Sequence, residues 1–114
     1  MAAEIRNLRA GEIIFISGSS GDEAYMIRAG QIQIYDSVNG QEVIHAVLRP
    51  GDILGEMALI DNRPRSASAR AGSAATVLVL PRKLFQQELE RTPPIIRKLF
   101  EAYINVIRNR NRRN

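Results

Sequence analysis

The sequence predicts a mainly β domain, an eight-stranded antiparallel jelly roll (β-roll) that contains one short helix and is followed by two α-helices. Two observations carry this prediction. As far as Leu80, short apolar runs alternate with turns that contain glycine, and short, regularly spaced strands are typical of rolls and barrels rather than of α/β folds. After Leu80 the apolar residues change to helical spacing. We therefore expect the roll at about 3–81 and the helices beyond it.

The strands of the roll follow from apolar runs or alternations. Five such runs are Glu12–Ile16, Ala24–Arg28, Ile32–Tyr35, Val43–Leu48 and Thr76–Leu80. Between the third and fourth runs stands Asn39-Gly40, a pair that tolerates the two positive φ angles of a type I′ turn. These two runs are therefore predicted to form a β-hairpin.

Helical segments are predicted at three places. The stretch 55–60 is too short for an ordinary helix and poor in β-branched residues, so it fits one helical turn. Helices are expected at about 82–92 and 94–110, with Pro93 and Pro94 suited to the start of the second. One broad apolar face of that helix would carry Ile95, Ile96, Leu99, Phe100, Tyr103, Ile104 and Ile107.

Length and composition exclude several classes of protein. The 114 residues suit a single domain, 1–114, and leave no room for a second, catalytic one. Cysteine is absent and His45 is the single histidine, which excludes a disulfide framework and a histidine-cluster metal site. No apolar run approaches the ~20 residues of a membrane span. We expect a cytoplasmic protein that is not an enzyme and has no metal.

The net charge of +4 is concentrated at one end of the chain. Residues 97–114 hold six basic residues and one acid, so the rest of the chain is close to neutral. Such a basic end could attract nucleic acid or acidic lipid without specificity. We favour a solvated helix end, where cations are favourable. No helix-turn-helix follows this helix, so specific recognition of nucleic acid is not expected.

The segment 54–68 carries the residues suited to an anion site. Gly55 lets the main chain approach a ligand, and the amides of a short helix around Met57 and Ala58 would point N–H groups at an anion. Arg65 offers a planar charged fork that matches phosphate oxygens, and Ser66 adds a hydroxyl donor. Glu56 would repel a phosphate, which suggests that it accepts a hydrogen bond from a ligand hydroxyl. A buried salt bridge between Glu56 and Arg65 is the structural alternative.

These residues resemble a known motif. Leu54-Gly55-Glu56-Met57-Ala58-Leu59, followed after five residues by Arg65-Ser66-Ala67, is similar to the phosphate-binding cassette of the cyclic-nucleotide-binding domain family, which includes the catabolite activator protein, kinase regulatory subunits and cyclic-nucleotide-gated channels. The upstream segments Gly11–Phe15, Tyr25–Ile27 and Gly30–Ile34 resemble the family's first strands. The resemblance covers about residues 3–108. We call residues 54–69 the cassette.

The resemblance implies a role for each matching residue. Glu56 would hold a ribose 2′-hydroxyl, Arg65 and Ser66 would hold the phosphate, and main-chain or shape contacts would come from Gly55, Met57, Ala58 and Ala67. Ala46 would face the base, with Ile44 and Leu48 on its face of the strand. Leu59 would be the hinge that links the cassette to the C-terminal helices. The candidates for a lid over the base are Ile104, Ile107 and Arg108.

The ligand and the output stay partly open at this point. Ser66 stands where the family's threonine is associated with guanine and its alanine with adenine, so cyclic AMP is favoured and cyclic GMP remains an alternative. No other cofactor is expected. The partner would be an effector domain or protein at the C-terminal helices, and a homodimer is also open. The alternatives are a roll-fold interaction or dimerisation module that no longer uses a ligand, and the sensor part of a transcription regulator.

Overall fold

The structure, a computed structural model, describes residues 4–59 and 63–113, with only the main chain at 108 and 110–113. It confirms a mainly β architecture of two antiparallel sheets followed by two helices. The strands are β1 (Glu4–Leu8), β2 (Ile13–Phe15), β3 (Glu23–Ala29), β4 (Ile32–Val38), β5 (Gln41–Leu48), β6 (Ile53–Leu54), β7 (Ser68–Ala71) and β8 (Ala75–Pro81). A 3₁₀ helix at Glu56–Leu59, the cassette helix, lies between β6 and β7.

The core lies between two four-stranded sheets. Their strand orders are β1-β8-β3-β6 and β2-β7-β4-β5. In β8 every second residue is buried, because successive side chains of a strand point to opposite faces. The buried cluster comprises Leu8, Tyr25, Ile27, Ile32, Leu54, Ala69, Ala71, Ala75, Val77 and Val79.

The predicted hairpin is present. Strands β4 and β5 pair from Ile32↔Leu48 to Val38↔Gln41. Asn39 and Gly40 join them with φ of 54° and 79°, the positive values that a type I′ turn requires. Strands β1, β6 and β7 complete the roll, although none of them coincides with an apolar run of the sequence.

The expected position of Ile44 is wrong. The register of the hairpin shifts between Ile34↔Ala46 and Tyr35↔Ile44, so β5 contains one extra residue at this point. A bulge of this kind breaks the alternation of faces. Ile44 therefore shares a face with Tyr35, while Ala46 lies opposite Ile34 on the other face. Ile44 is 47% exposed.

The two helices are α1 (Arg82–Glu90) and α2 (Pro94–Arg113), compared with 82–92 and 94–110 expected. After α1, the N–H groups of Arg91 and Thr92 bond to carbonyls of the last turn, and Pro93 and Pro94 follow. Phe85 of α1 packs on Phe100 of α2, with ring centroids 5.3 Å apart. Among the described residues, neither helix is both long and apolar enough to cross a membrane.

Candidate anion-binding site

A cavity of about 560 Å³ opens between the cassette and the sheet that contains β2 and β4. Its lining includes every cassette residue that the sequence analysis selected except Leu59. The lining residues are Phe15, Ile34, Leu48, Ile53, Leu54, Gly55, Glu56, Met57, Ala58, Arg63, Pro64, Arg65, Ser66 and Ala67. The cavity thus combines an apolar wall with polar and charged groups, as ligand sites commonly do.

Arg65 is the buried cation of this cavity, with 9% of its surface exposed. Its main chain is fixed by two hydrogen bonds, from its N–H to the Ser19 carbonyl and from the Gly18 N–H to its own carbonyl, each 2.8 Å. Its guanidinium carbon lies 4.2 Å from the centroid of the Phe15 ring, and Nη2 donates to the Glu23 carbonyl at 2.9 Å. Nε is buried without a hydrogen-bond partner.

A buried donor without a partner is costly. Burying a guanidinium is costly as well unless an anion or hydrogen bonds compensate. The structural alternative was a salt bridge with Glu56, but the two described side chains form no ion pair within 4 Å. The arginine therefore has donor capacity to spare, and an anionic ligand in the cavity is a suitable acceptor.

The cassette helix places its first residues at the cavity. Gly55 precedes it with φ of 73°, a conformation that favours glycine. The N–H of Ala58 donates to the Gly55 carbonyl at 3.0 Å. The expectation that this amide is free for an anion is therefore wrong, because closing the 3₁₀ turn uses it. The N–H groups of Glu56 and Met57 have no hydrogen-bond partner among the described residues.

The half-buried Glu56 side chain also lines the cavity. Its carboxylate makes no hydrogen bond or ion pair with any described residue. A carboxylate acts only as an acceptor, so it is available to a hydroxyl or amino donor of a ligand. Ser66, which is exposed, and Ala67, which is half-buried, line the same cavity.

Of the three β5 residues expected on the side of the base, Leu48 lines the cavity, whereas Ala46 and Ile44 are not among the described lining residues. Ala46 is exposed on the same face as Ile34. Ile34 and Phe15 form the apolar wall together with Leu48. Sequence reasoning did not assign Ile34 and Phe15 to the site. The alternation of Ile32 and Ile34 in the sequence could have indicated Ile34 as a residue of the site.

Arg63 is exposed and lines the same cavity as Arg65. The cavity therefore has a second arginine at its wall.

The hinge candidate Leu59 and the lid candidates with described side chains, Ile104 and Ile107, do not line the cavity. Leu59 is buried, with 6% exposure, at the end of the cassette helix. Ile104 is buried and Ile107 is half-buried, and neither is among the described lining residues. The side chain of Arg108 lies outside the described residues. No described side chain of α2 lines the cavity in this structure.

The cassette is joined to α1 by Arg82. Its Nε donates to the Ala58 carbonyl at 2.6 Å, and its N–H donates to the Asp22 carbonyl at 2.7 Å. The first residue of α1 therefore contacts both the cassette helix and the segment before β3. Sequence reasoning gave Arg82 no role.

Behind Arg65, Tyr25 donates a hydrogen bond of 2.9 Å to the Glu23 carboxylate, and Arg6 lies 3.9 Å from the same oxygen atom. Burial and this hydrogen bond raise the pKa of Tyr25 to about 12. These contacts hold Glu23, whose carbonyl in turn accepts from Arg65.

Among the described residues, no cluster of three or more metal-ligating side chains occurs.

Comparison with known proteins places the site in context. The family model of the cyclic nucleotide-binding domain matches residues 5–92. The cyclic AMP receptor protein of Thermus thermophilus is 34% identical over 90 residues, which are 78% of this chain and 42% of that protein. The cAMP-dependent protein kinase regulatory subunit of Emericella nidulans is 35% identical over 89 residues, which are 78% of this chain and 21% of that protein. The chain thus spans less than half the length of these two relatives.

Solved structures of other proteins are also similar to this chain. A half-site-occupied form of the EAL enzyme Bd1971 matches with a TM-score of 0.86 at 32% identity, covering 96% of this chain and 99% of that one; the same enzyme is known in cAMP-bound and cGMP-bound forms. The regulatory domain of Toxoplasma gondii PKA with cAMP matches with a TM-score of 0.71 at 29% identity, covering 75% of this chain and 33% of that one.

Proposed function

Because the chain belongs to the cyclic nucleotide-binding domain family, we propose that its cavity binds a cyclic nucleotide, with cyclic AMP favoured over cyclic GMP, and that binding is a regulatory signal. The observation that carries this proposal is Arg65, a buried guanidinium with a buried, unpartnered Nε at the wall of a cavity. A cyclic phosphate carries the single negative charge and the oxygen acceptors that such a group needs.

The roles of the cassette residues support a nucleotide rather than an inorganic anion. Arg65 and Ser66 would hold the phosphate, with the free N–H groups of Glu56 and Met57 near it. The unpartnered Glu56 carboxylate would accept the ribose 2′-hydroxyl. Phe15, Ile34 and Leu48 offer the apolar wall against which a base can pack.

The signal would pass from the cassette to the helices. A ligand that contacts Glu56 and Arg65 pulls on the cassette helix, which contains the buried Leu59 and is bonded through Ala58 to Arg82 of α1. Binding can shift the helices only if the ligand prefers one of their arrangements. We propose that α1 and α2 move when the site fills, and that residues of α2 then approach the base.

The outward face of α2 supports a partner protein or effector domain. Its exposed apolar residues are Ile95, Ile96, Leu99, Tyr103 and Val106. Apolar surface of this kind marks an interaction site more often than an ordinary solvated face. The partner remains a second copy of the chain or a separate effector. The role proposed for this chain is that of a non-catalytic sensor in the cytoplasm.

Ligand-induced stabilisation tests the proposal. The melting temperature is measured with cyclic AMP, with cyclic GMP and with linear 5′-AMP as the control, followed by calorimetric titration. A ligand that binds the native state stabilises it by about 2.7 kcal/mol at a concentration of 100 times Kd. We expect cyclic AMP to raise the melting temperature most and 5′-AMP least. If neither cyclic nucleotide has an effect at saturation, the chain is an interaction module that does not use the cavity.

A further inference from the structure

The Arg65 guanidinium lies against three residues outside the cassette, which we call the guanidinium site: Phe15, Gly21 and Glu23. Phe15 of β2 faces it at 4.2 Å from ring centroid to Cζ. Glu23 of β3 accepts from Nη2 at 2.9 Å. Gly21, in the turn before β3, approaches the remaining side. The cation is therefore enclosed by two strands and the segment between them, whose contacting residues precede Arg65 by more than 40 positions.

Gly21 is a glycine for steric reasons. A Cβ built on it would lie 2.5 Å from Nη2, 2.8 Å from Nε and 2.9 Å from Cζ of Arg65. Its φ is not in the positive region that favours glycine, in contrast to Gly55 with φ of 73°. The φ at position 21 therefore does not require glycine, and the three nearest atoms that a Cβ would meet all belong to the guanidinium of Arg65.

The contacts of the guanidinium also fix its orientation. The Glu23 carbonyl accepts a hydrogen bond from Nη2, and the face of the Phe15 ring attracts the cation electrostatically. Nε remains buried and without a partner. A buried donor held in one direction has already lost its rotamer freedom, so an acceptor that reaches it does not bear that entropic cost.

We infer that Phe15 and Gly21 are positioning residues that fix the Arg65 guanidinium before a ligand arrives, so that the anion site is pre-formed in the empty chain. The inference rests on the proposed function for the identity of the ligand. The guanidinium site itself is a property of the ligand-free chain.

Three variants test the inference. Gly21→Ala places a Cβ against the guanidinium, and Phe15→Leu removes the aromatic face but keeps an apolar side chain. The matched control is Gly72→Ala, a second glycine without positive φ, whose Cβ would come no closer than 3.1 Å, to the flexible side chain of Gln33. Alanine in place of glycine at a compatible position tends to stabilise a protein. If Gly21→Ala weakens binding and Gly72→Ala does not, the effect comes from position 21 and not from the replacement of glycine by alanine as such.

Two measurements are made on each variant. The first is the Nε–Hε NMR signal of Arg65 in the ligand-free protein, assigned with Arg65→Lys, together with its rate of exchange with water. The second is the affinity for cyclic AMP by calorimetry. We expect a slowly exchanging signal in the unsubstituted chain and in Gly72→Ala. In Gly21→Ala the signal should move and exchange faster, and the affinity should fall about tenfold or more; Phe15→Leu should change both in the same direction.

An unchanged signal and an affinity within twofold in both Gly21→Ala and Phe15→Leu would overturn the inference. If Gly21→Ala fails to fold, Phe15→Leu decides the question by the same two criteria. The proposed function can fail while the inference holds. In that case the unsubstituted chain binds no cyclic nucleotide but has the slowly exchanging signal, and Gly21→Ala loses that signal. The pre-formed site would then be present without the proposed ligand.

Discussion

The Nε of Arg82 donates a hydrogen bond of 2.6 Å to the main-chain carbonyl of Ala58. The donor is the first residue of α1 and the acceptor lies in the cassette helix, two residues after Glu56. A movement of the cassette helix therefore displaces an acceptor that α1 already uses. Removing the donor should leave the cavity lining in place and interrupt the connection to α1.

We expect Arg82→Ala to separate ligand binding from the response of the helices. The affinity for cyclic AMP should change by less than about tenfold, because Arg82 is not among the described residues that line the cavity. The ligand-induced change in hydrogen exchange across α1 and α2 should disappear. The control is Lys83→Ala, the neighbouring exposed cation. A full response in Arg82→Ala would exclude this route of coupling.

The phosphate role of Arg65 predicts a larger effect on affinity. Arg65→Ala should lower cyclic AMP affinity by about 2–5 kcal/mol, because truncating one partner of a desolvated charge pair leaves the other unpaired. Arg65→Lys keeps the charge without the fork and should lose less. The exposed Arg28 of β3, outside the cavity lining, provides the control substitution Arg28→Ala. Calorimetric titration that gives the same Kd for Arg65→Ala and the unsubstituted chain would contradict the assignment.

The cassette could be predicted from the sequence because its candidate anion-binding residues lie close together along the chain. Gly55, Glu56, Arg65 and Ser66 lie within 12 positions, and the Asn39-Gly40 hairpin was equally local. The guanidinium site was not predictable in this way, since the tertiary fold brings Phe15 and Gly21 to Arg65 from more than 40 residues away. Local patterns hold no information about such a contact.

Two errors have the same physical origin. The bulge in β5 moves Ile44 to the face opposite Ala46, although the two residues are two positions apart, because the register is set by pairing with β4 and not by β5 alone. Strand β7 contains Ser68, Ala69 and Ala71, whose small side chains carry little apolar signal and yet are buried between larger neighbours. Both the bulge in β5 and the burial of β7 depend on tertiary packing, about which a local sequence pattern holds no information.

Glu56 should recognise the 2′-hydroxyl of the ribose. A double-mutant cycle compares the unsubstituted chain and Glu56→Gln, each with cyclic AMP and with 2′-deoxy cyclic AMP. We expect the unsubstituted chain to lose about 1.5–3 kcal/mol with the deoxy ligand, the typical contribution of a hydrogen bond to a charged group. Glu56→Gln should discriminate much less between the two. Equal discrimination by both proteins would show that the carboxylate has another role.

Tyr25 should make the stability depend on pH at the alkaline end. Its pKa is raised to about 12 by burial and by its hydrogen bond to Glu23, whereas an unfolded tyrosine has a pKa of about 10. Between these values the folded state binds more protons than the unfolded state, so the free energy of unfolding falls as pH rises. The contribution is complete below about pH 10 and is lost by about pH 12.

The comparison variant for this prediction is Tyr25→Phe. Urea denaturation at intervals from pH 9 to pH 11.5 should show a smaller decline in this variant than in the unsubstituted chain. The lysines and the other tyrosines titrate in both proteins, so the difference between the two curves of unfolding free energy against pH isolates Tyr25. Parallel curves would mean that the phenol is not held protonated by its surroundings.

Ser66 bears on the choice of base. Its exposed hydroxyl lines the cavity beside Arg65, where it can donate to the phosphate of either nucleotide and also accept from the amino group of a guanine in the syn conformation. Ser66→Ala removes the phosphate contact for both ligands and the amino contact for cyclic GMP alone. Cyclic GMP should therefore lose more affinity than cyclic AMP, by about 0.5–1.5 kcal/mol.

Ser66→Thr tests the opposite direction. Threonine keeps the hydroxyl and restricts its rotamers, so we expect the ratio of cyclic GMP to cyclic AMP affinity to rise or to remain unchanged, and not to fall. The ratio, measured by competition titration, cancels any general loss of stability, because such a loss affects both ligands alike. An equal loss of both affinities in Ser66→Ala would restrict this hydroxyl to the phosphate and leave base selection to other residues at the cavity.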